Sequence, residues 1–335
     1  MVDSLLALNV SVKKVFAPEH GFRGKADAGE VVKDGIDTKT GLPIISLYGK
    51  NKKPYPKQIE DLDIVIFDIQ DVGARFYTYI STLHYVMKAC AEQNIPVLIL
   101  DRPNPNGHYI DGPVLEIEHQ SFVGTHPIPV VHGMTIGEYA QMINGEKWLT
   151  NGIQCKLTII KVDNYTHNSN YSLPIKPSPN LPNDKAINLY PSLCFFEGTN
   201  VSIGRGTDKQ FQIAGSPFNK GGKFKFTPEP KPGASRPKHK GEECNGVDLS
   251  QFGAKHMQSV QSLYLNWIVE FYQNSKDKKN FFLKNGFFTL LVGNTNVRKM
   301  IEEGKSAAEI SATWAKEVEE FKQIRKKYLL YKDFE

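Results

Sequence analysis

Residues 63–100 read DIVIFDIQDVGARFYTYISTLHYVMKACAEQNIPVLIL, and this stretch decides the fold class. Its ends, Asp63 to Ile69 and Pro96 to Leu100, are short and almost wholly apolar, the pattern of strands covered on both faces as in a parallel sheet. Between them, Tyr79 to Gln93 sets Ile80, Leu83, Met87, Cys90 and Ala91 on one side of a 3.6-residue period, which predicts a helix. Strand, helix and strand in that order make a βαβ unit and an α/β fold.

Outward from this unit, Val12 to Phe16 and Lys156 to Val162 read as further strands. Thr135 to Asn144 reads as a helix, with Thr135 at the N-cap and Glu138 three residues on, the spacing of a capping box. The chain opens with helix-like Ser4 to Asn9 where a sheet of this type normally opens with a strand, so the domain's first strand is expected to be absent from this sequence. Residues 174–191, PIKPSPNLPNDKAINLYP, contain five prolines and are expected to hold neither helix nor inner strand. The domain boundary is placed there, giving a Rossmann-like parallel-sheet domain over 1–186 and a smaller α/β domain over 187–335. In the second domain, Lys255 to Gln273 (Val260, Leu263, Tyr264, Trp267, Ile268, Phe271) and Ala307 to Tyr328 (Ile310, Trp314, Val318, Phe321, Ile324) read as amphipathic helices.

The chain has 335 residues, 40% of them apolar and 23% charged, enough for two domains with a real core and incompatible with wholesale disorder. No apolar run approaches the ~18 residues of a membrane span. Met1 to Val10 lacks the basic and small-residue features of a signal peptide. Cys90, Cys155, Cys194 and Cys244 stand far apart with no C-x-x-C pair, and read as free, buried thiols. Lys+Arg exceed Asp+Glu by 41 to 36. The basic stretch Lys220 to Lys240 is interrupted by Pro and Gly and has no stacking platform, so it reads as a solvated loop and nucleic acid is not expected as a partner.

Ligands of open parallel sheets bind at the carboxyl ends of the strands. Those ends carry APEHGFRG at 17–24, DIQDVGARFY at 68–77 and DRPNPNG at 101–107, each combining carboxylates, arginines and turn residues. Asp68, Asp71 and Asp101 are site candidates there. The alternatives are that Asp68 and Asp71 cap the helix beginning near Thr78, and that Asp101 pairs with Arg102 or Arg75. Glu19 lies on a rigid turn directly off a strand, where partial desolvation raises a carboxyl toward general-acid range. Glu197 is delivered to a turn by Cys194-Phe195-Phe196 and followed by Gly198-Thr199-Asn200. Two carboxylates from different segments suit glycosidic cleavage, one as acid and the other as base, nucleophile or charge stabiliser, although Glu197 also suits a loop cap. No G-x-G-x-x-G follows the first strand and no P-loop or G-x-S-x-G elbow occurs, which disfavours nucleotide and serine-nucleophile chemistry. The histidines lack metal-ligand spacing, leaving an assembly of Glu19, His20, Asp68, Asp71 and His132 as the remaining metal alternative.

The runs FAPEHGFRG (16–24), AGE (28–30), TGLPIISLYGKNKKP (40–54), FDIQDVGARFYTYISTL (67–83), DRPNPNG (101–107), PIPVVHGMTIGE (127–138), PSPNLP (177–182) and FEGTNVSIGRGTD (196–208), in this order, resemble the NamZ-like exo-β-N-acetylmuramidase family. The resemblance implies a bacterial cell-wall glycoside hydrolase that releases N-acetylmuramic acid from the non-reducing end of peptidoglycan fragments. It also implies a Rossmann-like domain plus a smaller α/β domain with the site in the cleft between them, and no cofactor. It places the catalytic glutamate of P-E-H-G on Glu19, a second acidic residue on Glu197, and lining residues on Asp68, Asp71 and Tyr77. His20, Arg23, Arg75, Asp101, Asn200 and Arg205 complete the candidate substrate-binding set. Arg75 and Arg205 lead among Arg23, Arg75, Arg102 and Arg205 as readers of the lactyl carboxylate that distinguishes muramic acid from glucosamine. Members ordinarily carry a further amino-terminal strand and often an export signal, implying a periplasmic or extracellular location. The sequence as given shows no signal, which taken alone implies the cytoplasm. In many members a Glu precedes G-R-G-T, whereas Ile203 stands here. A non-catalytic muropeptide-binding protein and a metal-dependent hydrolase are the competing functional readings.

Overall fold

A computed structural model describes residues 1–23, 30, 33–255, 259 and 261–335. Gly24, Ala28, Gly29 and Val260, named above in the motifs and the helix pattern, lie outside the described residues. After helix α1 (Val2–Ala7), strand β1 (Val15–Ala17) ladders in parallel with β3 (Pro43–Ser46), which pairs antiparallel with β2 (Gly35–Ile36). The strand expected over Val12 to Phe16 thus begins later. After the short helix α2 (Pro56–Ile59), strands β4 (Val65–Phe67), β5 (Val97–Leu100) and β6 (Leu157–Ile160) form the parallel sheet that the βαβ pattern predicts. Its crossover helix is α3 (Tyr79–Glu92), with Ile80, Leu83, Met87 and Cys90 buried. Asn94 then adopts a left-handed φ of 56°, ending the helix and returning the chain to β5.

Helix α4 (Ile136–Gly145) has the expected capping box, with Thr135 accepting from the Glu138 N–H and Glu138 accepting from the Thr135 N–H. Asp101, at the end of β5, reinforces it: Oδ1 accepts from the N–H groups of Arg102 and Gly137, and Oδ2 from Thr135 Oγ1 and Tyr331 OH. A Cβ at Gly137 would stand 2.8 Å from the Asp101 carboxyl, so only glycine permits this approach. Asp101 therefore belongs to the scaffold. It ties β5 to α4 and to the carboxy-terminal tail, and pairs with neither arginine side chain.

Part of the proline-rich segment is helical, contrary to expectation: α5 (Asp184–Leu193) starts at Asn183, whose side chain accepts from the Ala186 N–H, and contains Pro191. Proline lacks the N–H that would bond the carbonyl four residues back. Here that carbonyl, Ile187 O, accepts from Asn106 Nδ2, so the break is repaired by a side chain from another segment. A 3₁₀ turn at Cys194–Gly198 follows. The second domain has an antiparallel sheet, β7 (Ile213–Ser216), β9 (Cys244–Asp248) and β8 (Phe224–Phe226) in spatial order, with helices α6 (Ser250–Lys255), α7 (Asn266–Gln273), α8 (Phe287–Val292), α9 (Asn296–Glu302), α10 (Ala307–Ser311) and α11 (Ala315–Arg325). The two long helices of the sequence reading are therefore shorter. Leu263 and Tyr264 lie in the approach to α7, with their N–H groups donated to Asp111 Oδ2 and Ser192 Oγ. The last helical stretch tightens to a 3₁₀ turn at Trp314, whose indole donates to Asp111 Oδ1. Asp111 thus competes for both segments, which periodicity cannot reveal.

The domains share one apolar core, with the Phe76 ring against Tyr190 and Phe195, and Phe195 against Phe288. Arg75 fastens this seam. Its side chain is fully buried, with Nη1 donating to Pro113 O and Ile128 O and Nη2 to Leu291 O and Val292 O, the carbonyls closing α8. A cation is well placed at a helix carboxyl end. Replacing Arg75 by Met leaves these carbonyls without their donor and should lower the unfolding free energy by ~3–5 kcal/mol. Urea unfolding of the full chain measures this, and Arg75→Lys should recover less than half the loss because a single ammonium lacks the planar fork. Wild-type stability in the Met variant would remove Arg75 from the role of fastener.

Candidate active site

Strand β1 ends in Pro18-Glu19-His20-Gly21, a turn closed by the Gly21 N–H on Pro18 O, with His20 and Gly21 both at positive φ. This turn leaves Glu19 half-buried. Tyr48 OH donates to Glu19 Oε1 at 3.0 Å, and Thr78 Oγ1 donates to Oε2 at 2.8 Å. Tyr48 follows β3, and Thr78 is the N-cap position of α3, so separate elements converge on one carboxyl. Tyr79 OH approaches the Glu19 carbonyl, and the rings of Tyr77 and Tyr79 meet edge to face at 5.0 Å. Burial, assisted by the Glu19 charge, pushes the Tyr48 and Tyr79 hydroxyls above the ordinary tyrosine range, so they remain protonated donors.

Across Tyr190, whose ring touches those of Tyr77 and Phe211, lies a second cluster from the second domain. The 3₁₀ turn after α5 presents Glu197, which accepts from Arg205 Nε at 2.5 Å. Arg205 lies over the Phe211 ring, and its buried Nη1 has no protein partner among the described residues. Lys238 Nζ donates to Phe196 O, Thr199 O and Val201 O. Burial works against the Glu197 charge, but Arg205 and Lys238 outweigh it and hold the carboxyl below the ordinary glutamate range. Burial draws Lys238 down to about 8, against the pull of Glu197. The carboxamide of Asn200 is buried with neither end partnered, while its backbone is fixed by Phe281 O and by His239, which donates to Asn200 O. Burial raises the Cys194 thiol, and the charges of Glu197 and Glu19 both add to that rise.

The other candidates divide by what already holds them. Asp71 is buried, with Oδ2 accepting from the Gly73 N–H and Oδ1 unpartnered. Burial raises it to about 7 despite the donors of Gly73 and Val72. It does not cap α3. Nearby His132, 3.9 Å away, is drawn down to about 3 by burial and by Arg325 and Arg75, and is neutral. Tyr77 donates to Pro177 O. Asp68 accepts from Nε and Nη2 of Arg102 and also does not cap the helix. Arg23 forms a two-pronged pair with Asp37, at 3.0 and 2.6 Å, fixing the turn after β2. Arg75, expected among the leading sugar readers, is walled into the domain seam, and Asp101 is committed to the cap of α4; both expectations are corrected. His20 is buried in its left-handed turn. Among the described residues no three His, Cys, Asp or Glu side chains are grouped to hold a metal ion, so the candidate assembly of Glu19, His20, Asp68, Asp71 and His132 is not brought together.

The sequence reading missed Tyr48, Thr78, Tyr79, Tyr190 and Lys238. Tyr48 had a signal, a tyrosine just past an apolar run in TGLPIISLY, where strand ends face a ligand. Lys238 had none: it sits in the basic stretch read as a solvated loop, and only the tertiary fold turns its ammonium onto the carbonyls around Glu197.

Two models of one family match the chain. The amino-terminal part of the exo-β-N-acetylmuramidase NamZ covers residues 1–185, and its carboxy-terminal part covers residues 188–331. The peptidoglycan β-N-acetylmuramidase NamZ of Bacillus subtilis is 41% identical over 96% of this chain and 80% of its own length. A DUF1343 family crystal structure from Bacteroides fragilis superposes with a TM-score of 0.91 at 51% identity, covering 99% of this chain and 89% of that one. A second from the same organism has a TM-score of 0.83 at 30% identity, covering 99% and 90%. Matched through both of its domains, in sequence and in fold, the chain belongs to the NamZ exo-β-N-acetylmuramidase family.

Proposed function

We propose that this protein is an exo-β-N-acetylmuramidase that removes N-acetylmuramic acid from the non-reducing end of peptidoglycan fragments, with Glu19 as the general acid. The observation that carries the assignment is the convergence of hydroxyls from two separate elements on the Glu19 carboxyl. Glu19 lies half-buried on the turn after β1, with its two carboxyl oxygens oriented by the Tyr48 and Thr78 hydroxyls. Glu197 is held by an arginine with a lysine beside it, which keeps it charged and unable to give a proton. In this reading Glu19 protonates the glycosidic oxygen as the bond breaks. Glu197 orients Arg205, whose unpartnered Nη1 donates to the lactyl carboxylate in a charge-assisted contact, and the Asn200 carboxamide supplies polar contacts to the same sugar. Burial raises Asp71 to about 7, so near neutrality it is divided between a protonated donor and a carboxylate. A substrate released from the wall fits a periplasmic or extracellular location, which cell fractionation tests.

Glu19→Gln keeps the volume and the contacts with Tyr48 and Thr78 but has no proton to give, so turnover of a muramide with a poor leaving group should fall ~10²–10⁴-fold with the fold intact. Wild-type turnover would exclude Glu19 as the acid. Intact binding of muropeptides by a wild-type chain that never cleaves them would favour a binding protein. Arg205→Ala should weaken muramide binding ~10- to 150-fold and change any turnover of the matching glucosaminide far less; equal losses on both sugars would assign the lactyl group to another residue.

For Asp71, the folded value of about 7 lies above the ~3.9 of an unfolded aspartate, so its contribution is fully present below pH 4 and is lost as pH rises toward 7. Urea unfolding at pH 4.5 and 7.5 should therefore show wild type losing stability relative to Asp71→Asn at the higher pH. A pH-independent difference would mean that Asp71 titrates as an ordinary carboxylate.

A further inference from the structure

Beyond Tyr48 the chain turns at Gly49, which has a φ of 91°, and residues 49–56 together with Tyr85 line an open surface cavity of about 440 Å³. That volume lies within the ~300–1,000 Å³ range of small-ligand sites. Its wall is basic and aromatic, with Lys50, Lys52 and Lys53 beside Tyr55 and Tyr85. Lys53 is paired with Glu92, but among the described residues Lys50 and Lys52 make no ion pair; Lys52 Nζ instead lies 4.4 Å from the Phe122 ring centre. Tyr55 is 58% exposed, an unusual setting for a large aromatic ring. Phe122 joins this cavity to the acid. Its ring stacks with Tyr85 at 6.1 Å and 22°, and also packs at 6.1 Å against Tyr48, which donates to Glu19.

A general acid must reach the oxygen between the departing sugar and the remainder of the glycan. Arg205 and Asn200, proposed above as contacts to the departing sugar, come from the second domain, whereas the cavity continues from Tyr48 within the first. We infer that this cavity is the leaving-group subsite, taking the glycan on the reducing side of the cleaved bond, with Tyr55 and Tyr85 as faces for sugar rings and Lys50 and Lys52 as the readers of its carboxylates. The inference rests on the proposed glycosidase reading. It predicts a preference for a carboxylate-bearing leaving group, whether the acid is the lactyl group of the next muramic residue or belongs to a stem peptide attached there.

The test compares a chromogenic muramide, which has no sugar on the reducing side, with a muramyl-terminated tetrasaccharide carrying one internal muramic residue, with and without a stem peptide. In the Lys50→Gln, Lys52→Gln double variant, the ratio of kcat/KM on the tetrasaccharide to that on the chromogenic substrate should fall ~10-fold or more. The wild-type ratio should decline with added salt, and the variant's ratio should not. A fall seen with the peptide-free tetrasaccharide assigns the recognised acid to the lactyl group; a fall seen only with the peptide attached assigns it to the stem. An unchanged ratio on both substrates, or equal losses on long and short ones, overturns the inference. Calorimetric binding of both tetrasaccharides to Glu19→Gln chains reads the subsite without hydrolysis, so it separates failure of the subsite from failure of the glycosidase reading. Tenfold weaker binding of at least one of them when the lysines are replaced supports the subsite, and unchanged affinity for both overturns it.

Discussion

The arrangement depends on one buried cation. Arg75 leaves the loop after β4 and spends its guanidinium on carbonyls of the first domain and on those that close α8 in the second. Its two terminal nitrogens are met by these four carbonyls, while its buried Nε has no partner among the described residues. Losing any of the carbonyls would add to an already incomplete set, so these elements must keep their mutual distance. Close approach elsewhere has the same consequence. A Cβ at Gly293 would stand 2.7 Å from Arg75 Nη2, and one at Gly198 would stand 2.4 Å from the Phe288 backbone. Through Gly198 and α8, the 3₁₀ turn that carries Glu197 is held at a set depth against the first domain. The position of Glu197 thus depends on the packing of its turn against α8 as well as on its own contacts.

Within that frame the protein gives its acidic residues different surroundings. Glu19 receives hydroxyl donors, Glu197 receives cations, and Asp71 is left to burial with two backbone donors. Neighbouring charge and desolvation are distinct means by which a protein sets protonation, and they act here on Glu197 and Asp71 respectively. The cations near Glu197 are themselves positioned by main chain, since Lys238 is held by three carbonyls of the segment that presents the glutamate.

Arginines at strand ends look alike in a sequence, but here they have separate fates. Arg75 fastens the domains, Arg23 pairs with Asp37, Arg102 pairs with Asp68, and Arg205 keeps part of its guanidinium unpartnered beside Glu197. The choice among them rests on which carboxylates and carbonyls the fold brings within ~3 Å, a long-range property. The same reasoning covers the helices. Pro191 sits in a helix because Asn106 repairs the missing bond, and the carboxy-terminal helices shorten where Asp111 recruits the Leu263 N–H and the Trp314 indole.

Local pattern by itself determined the βαβ unit at 63–100, the capping box at Thr135 and Glu138, and the turn that carries Glu19, because each depends on side chains a few residues apart and on whether they seek or avoid water. Ordered motifs likewise sufficed to identify the family. Only the tertiary structure decided that β1 ladders with β3, that Asp101 caps α4 and ties down Tyr331, and that Lys238 leaves the surface loop for the carbonyls around Glu197. Those outcomes join residues far apart in the chain, where the energy of contact lies in geometry that no local window contains.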